Sequence, residues 1–200
     1  MARANYEARG FRAVRTELKN KDIPTVPPGP WEGADTTKSA ATAVIPRALL
    51  RHTVAVVAYR GAKSLRGAPP GFATFKPGPT SRQPIEILAH INDLYDWALW
   101  MAKGKWTWNE STPETWGHEV ARFHAGLAAF DACLAGDGPL GHSAEALIAG
   151  PIADSLTHIG QINMLRRLAG SPVKGESYAR ADIVVGRLGP DQNAPEREFD

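Results

Sequence analysis

The sequence predicts an all-α fold, a four-helix bundle with irregular N- and C-terminal extensions, on three observations. Apolar side chains recur in steps of three and four along several separate stretches, the spacing of one helix face. Gly and Pro gather between those stretches, as in GAPPGFATFKPGPTS and GDGPLGHS. The one candidate strand-like or extended patch, ADIVVGRL, falls in the tail. A chain of 200 residues suits one domain with a substantial core. We divide it into an N-terminal extension over 1–38, the bundle over 39–170, and a tail over 171–200 that packs on the bundle.

In the extension, Met1 to Lys21 carries six basic and two acidic side chains and reads as a frayed or surface helix. Its arginine content resembles an organellar targeting peptide, but Glu7 and Glu17 argue against one. DIPTVPPGPWEG then runs extended, with Trp31 to pin it. The first helix spans Ser39 to Leu65, kinked or restarted at Pro46, with Ile45, Leu49, His52, Val56, Tyr59 and Lys63 on one stripe. Pro84, shortly after Ser81, opens the second helix, which lasts to about Lys103. Ser111-Thr112-Pro113-Glu114 matches a capping box for the third. There Trp116, Val120, Phe123, Leu127, Phe130 and Leu134 form a continuous seam. A short helical run from Ser143 passes through Gly150-Pro151 into the fourth helix, stopped by Gly170 and Pro172.

Composition narrows the function classes. With 23 basic and 21 acidic residues, nothing in the bulk charge favours nucleic acid or an anionic membrane. The single cysteine, Cys133, excludes an intramolecular disulfide and cysteine-rich zinc modules. No apolar run reaches 18 residues and no secretory signal begins the chain, so a cytoplasmic protein is expected. Its many aromatics make a homodimer the expected assembly, and the expected partner is a small-molecule substrate. No Walker loop, GxGxxG or serine-triad pattern is present.

The chemistry concentrates in PIADSLTHIGQINMLRRLAG. Asp154 and His158 lie one helical turn apart, on a stripe continued by Gln161, Leu165 and Leu168, a face expected to be buried. His90 lies on a stripe of the second helix with Leu94, Trp97 and Met101. Two histidines and a carboxylate converging from two helices make a metal site, or else a set of polar groups bonded to one another. Zinc and nickel head the expected metals, with iron and manganese also suited to such donors. His52 is the reserve ligand, His124 a boundary histidine, His118 a solvated one and His142 a cap or surface residue. Gln161, Asp93 and Tyr95 are the candidates for a further catalytic role. Of the tryptophans near His90, Trp97 is the best placed to line a ligand cavity, and Trp100, Trp106 and Trp108 read as core or loop. Arg166 and Arg167 read as a solvated helix end.

The stretches LAHINDLYDWAL and DSLTHIGQINMLRRLAGSPV together resemble the DinB-like superfamily of metal-binding four-helix bundles, which includes YfiT-like metal-dependent hydrolases. The resemblance covers about Ser39 to Ser171. It implies that His90 matches the ligand of the second helix and His158 the last ligand, with Gly160 and Gln161 following, while Asp154 stands where a middle histidine is usual. It further implies a hydrolase or thiol S-transferase that activates water or a low-molecular-weight thiol, with a non-catalytic metal-binding or stress-associated bundle as the alternative.

Overall fold

The computed structural model describes residues 47–199, so the N-terminal extension, the helix start at Ser39 and the kink at Pro46 lie outside the described residues. The described residues are mostly helical, as an all-α fold requires, with four long helices among them: α1 (Arg47–Leu65), α2 (Pro84–Ala102), α3 (Trp116–Ala135) and α5 (Ala153–Leu168). A short α4 (Ala144–Leu147) runs through a π-helical turn, Ile148–Ile152, into α5. α1 and α2 each contact α3 and α5, so the four stand in a ring around one core. No helix of the described residues is long and apolar enough to cross a membrane.

Local chemistry explains most helix ends. Pro84 occupies the first turn of α2, where its missing N–H costs nothing, and the Glu86 carboxylate accepts the Gln83 N–H at 2.7 Å. α3 starts later than predicted. Thr115, not Ser111, is its cap, accepting the His118 N–H at 3.2 Å. Ser111 is instead engaged by Asp93 and Arg122, so the predicted capping box does not cap. Ser143 caps α4 through the Ala146 N–H.

The predicted α3 seam is the core's spine. Phe123, Leu127, Phe130 and Leu134 are buried, with Trp116 and Val120 half-buried at its start. Gly61 of α1 lets that helix approach: a Cβ there would lie 2.3 Å from the Phe123 ring. The α1 stripe agrees with prediction at Tyr59, which is buried, but not at Leu49 and His52. Leu50, Val54, Val57 and Ala58 face inward, whereas Leu49 is 46% exposed and His52 is exposed. Steps of three and four fit either face of an alanine- and valine-rich helix, so periodicity alone does not choose between them.

Arg166 also differs from prediction. Rather than ending in solvent, it is buried and donates to the carbonyls of Ser64, Arg66 and Gly67, which close α1, and to the carbonyl and hydroxyl of Ser171. Arg47 does the same for α3, donating to the carbonyls of Leu134, Gly136 and Gly138.

The tail fastens to the helices at several points, two of them buried. Buried Glu176 accepts from the Tyr59 hydroxyl at 2.6 Å and from Lys63 at 2.7 Å, and Lys63 also meets Glu198. These carboxylates bracket a two-stranded antiparallel ribbon, β1 (Gly175–Glu176) and β2 (Glu198–Phe199). ADIVVGRL itself is irregular, with Val184 and Val185 exposed and Leu188 driven into the core. The Leu188 carbonyl accepts from His124 Nδ1 at 2.7 Å. Burial holds the His124 imidazole below its usual range, against the Leu188 bond, which raises it. A histidine depressed in the folded state stabilises fully above its unfolded pKa of about 6.5 and loses that contribution as pH falls below it. His124→Gln should therefore flatten part of the acid limb of a Tm-against-pH curve. An unchanged acid limb would refute that assignment.

Candidate metal centre

The site is built where α2 faces the start of α5. Pro151 has no N–H to give the Leu147 carbonyl, and its ring crowds that carbonyl, so the helix widens into a π turn. The Ile148 carbonyl is taken up by the Ala153 N–H five residues on, and regular α-helix resumes at once. Asp154 is the second residue after the turn. Gly150, within the turn, lies against Trp97 of α2, where a Cβ would stand 3.2 Å from the indole.

His90, Asp154 and His158 come together, with one donor atom from each within 4.8 Å of the others. His90 Nε2 is 3.5 Å from Asp154 Oδ2, close to the roughly 3.3 Å between donors around a tetrahedral ion with bonds near 2.0 Å. The imidazole rings of His90 and His158 lie 4.7 Å apart between centroids. His158 Nδ1 is 2.9 Å from the Asp154 carbonyl, one turn back. Donating its proton there fixes the tautomer and leaves the lone pair on Nε2, the arrangement by which a histidine able to bind a metal is usually supported. Asp154 Oδ1 lies 3.1 Å from the same Nδ1. Burial lowers the His90 pKa, as does His158, with Asp154 pulling the other way. His90 is therefore neutral at neutral pH, its lone pair free for coordination.

The expected dry face is not dry. The side chain of Asp154 is 42% exposed, that of His90 23% and that of His158 12%. The buried stripe of α5 is the neighbouring one, Ser155, Ile159, Ile162 and Leu165, and the triad sits on its edge. His90 lines a cleft of about 750 Å³, and Asp154 lines a second of about 450 Å³ beside Trp97. A structural zinc site is closed by its protein ligands; this one opens to solvent, with room for a further ligand.

The other candidates separate. Gln161 is exposed, and its side chain makes no hydrogen bond among the described residues. Tyr95 is buried, 6.1 Å from Phe130 between ring centroids, and burial pushes its hydroxyl pKa up, only partly offset by Ser155. It is a core residue, not a base. Asp93 lines the His90 cleft but is engaged, accepting the Ser111 N–H at 3.0 Å and Arg122 at 2.6 Å. His52 and His118 lie away from the triad on exposed positions, and His142 packs on Trp106.

A polar cluster behind the cleft went unread in the sequence. Arg122 joins Asp93, Asp96 and Ser111, while buried Glu119 accepts from the Asn92 amide at 2.8 Å and from the Glu114 N–H at 3.2 Å. Burial pushes the Glu119 carboxyl up, but Asn92, Glu114, His118 and Arg122 outweigh it and hold it below its usual range. The α2 and α3 residues involved are spaced like surface charges, and only the fold reveals that they meet. Comparison with known proteins finds no match for this chain among protein-family models, curated proteins or solved structures.

Proposed function

We propose that the protein is a metal-dependent enzyme of DinB-like type, with His90, Asp154 and His158 as ligands and a small molecule as substrate. The observation that carries this reading is a converging two-histidine, one-carboxylate set with His90 on one solvent-open cleft and Asp154 on another, its His158 tautomer held by a backbone carbonyl. The DinB-like type is named from the resemblance of LAHINDLYDWAL and DSLTHIGQINML to that superfamily, which rests on the same three residues. Zinc or nickel suits the donor set best, and iron or manganese is compatible with it. A divalent ion there would lower the pKa of water or a low-molecular-weight thiol by several units, supplying the nucleophile of a hydrolase or a thiol S-transferase. The chain's own part is to orient both imidazoles, to balance charge with one carboxylate, and to bound the cleft with Trp108 and the Asp93–Arg122 pair.

A second reading treats the three side chains as a self-satisfied cluster in a non-catalytic bundle, since the same Asp154 oxygens already face both histidines. Turnover separates the two. Metal-loaded protein, assayed with a panel of cellular thiols against an electrophile and with activated esters or amides, should show an activity that His158→Ala lowers at least about a hundredfold. Bound metal without any such activity would favour the non-catalytic reading.

A further inference from the structure

We propose that Trp108, backed by Trp97 and Trp106, is the subsite for a planar, uncharged aromatic group of the ligand that reaches the His90 centre. Trp106 and Trp108 stand nearly perpendicular to Trp97, at 89° and 85°, with ring centroids 5.2 and 6.0 Å from it. Trp108 lies 5.6 Å from the His90 ring and lines the same cleft of about 750 Å³. A flat group stacked on Trp108 is thus within one or two bonds of an atom at the His90 centre.

Two features separate this wall from an ordinary loop. Trp106 and Trp108 remain 67% and 43% exposed although each has an aromatic neighbour, so a large apolar surface is left facing solvent beside the cleft. The loop carrying them is also pinned at both ends. The Lys105 N–H bonds the Trp100 carbonyl at 2.8 Å, and Ser111 is held by Asp93 and Arg122. Its indoles are held in place before any ligand arrives, which lowers the ordering cost of binding. Asp93 and Arg122 are then positioning residues for this loop. The charge around the cleft does not favour an anion: Arg82 is outnumbered by the Glu86 and Glu110 carboxylates in the lining, and Asp93 is matched by Arg122.

The experiment uses acetohydroxamate and benzohydroxamate, which share one metal-binding head and differ by methyl against phenyl. This arm rests on the proposed metal centre. Titrated into metal-loaded full-length protein, benzohydroxamate should bind about tenfold more tightly. Trp108→Ala should erase the difference between the two hydroxamates, and Trp108→Phe should restore most of it. Equal affinities in the wild type, or a phenyl gain that survives Trp108→Ala, would overturn the proposal. If neither hydroxamate binds in a metal-dependent way, the metal centre fails, and a metal-free arm decides the subsite. Benzamide at millimolar concentration should shift the Trp108 indole N–H resonance, identified by its loss in Trp108→Phe. An unmoved resonance would overturn the subsite in that case.

Discussion

In the wild-type protein, zinc or nickel added at about a hundred times its Kd should raise Tm by roughly 5 to 10 °C, and His158→Ala should abolish that rise. The magnitude follows from linkage. A ligand at a hundredfold excess over Kd stabilises the native state by about 2.7 kcal/mol, and in a domain of this size 1 kcal/mol moves Tm by about 2 to 4 °C. The His158 side chain, 12% exposed, makes its polar contacts with Asp154 one turn back on the same helix, so its removal should change metal-free stability by no more than about 1 to 2 kcal/mol. The loss is then read in the metal-dependent increment and not in the baseline. Asp154→Asn keeps an oxygen donor but loses the charge, and should give a smaller increment than the wild type. Asp154→His, which creates the three-histidine set of the resembling family, should keep the increment and shift the preference among metals. A wild-type Tm indifferent to every first-row metal would leave the triad as hydrogen-bonded polar groups.

Arg166→Ala should destabilise the protein by about 3 to 5 kcal/mol, lowering Tm by roughly 6 to 20 °C. The guanidinium uses Nε on the Ser171 carbonyl at 2.9 Å, Nη1 on Ser64 and Arg66 at 3.0 and 2.9 Å, and Nη2 on Gly67 and the Ser171 hydroxyl at 3.1 and 2.9 Å. Those carbonyls close α1 and the turn after α5, so one side chain ties two helix ends together. Burial lowers its pKa, yet an arginine stays charged, and the carbonyl dipoles of the helix end are its counter-charge. Removing it strands several buried acceptors at once, each costing about 1 to 3 kcal/mol when unpaired. Arg166→Lys should recover little, because an ammonium cannot reproduce the planar fork. Urea denaturation of the full chain measures this, and a loss under 1 kcal/mol would contradict the account.

The helices were legible because their signals are local. The seam from Phe123 to Leu134, Pro84 at the start of α2 and the Gly-Pro breaks each act within a few residues. His90, Asp154 and His158 were legible for a related reason: their residue types and helical spacing suggest coordination before any contact is known. What failed depended on the third dimension. The inward face of α1 follows the expectation at Tyr59 but not at Leu49 and His52, because Val, Ala and Leu lie on both sides of the helix. Asp154 and His158 were expected on the dry face of α5, whereas the π turn at Pro151 and the adjoining clefts leave them at its edge. Arg166 looked like a solvated cation because its acceptors, the last carbonyls of α1, are about a hundred residues away in sequence. Trp106 and Trp108 looked like loop aromatics until their indoles were found against Trp97 and His90.

The most direct test of the central claim is elemental analysis of the full-length protein purified without an affinity tag, beside His158→Ala prepared in parallel. The account predicts close to one equivalent of a single first-row metal, with zinc or nickel foremost, in the wild type and almost none in the variant. Less than about a tenth of an equivalent of any such metal in the wild type, with no uptake on adding zinc or nickel, would contradict it.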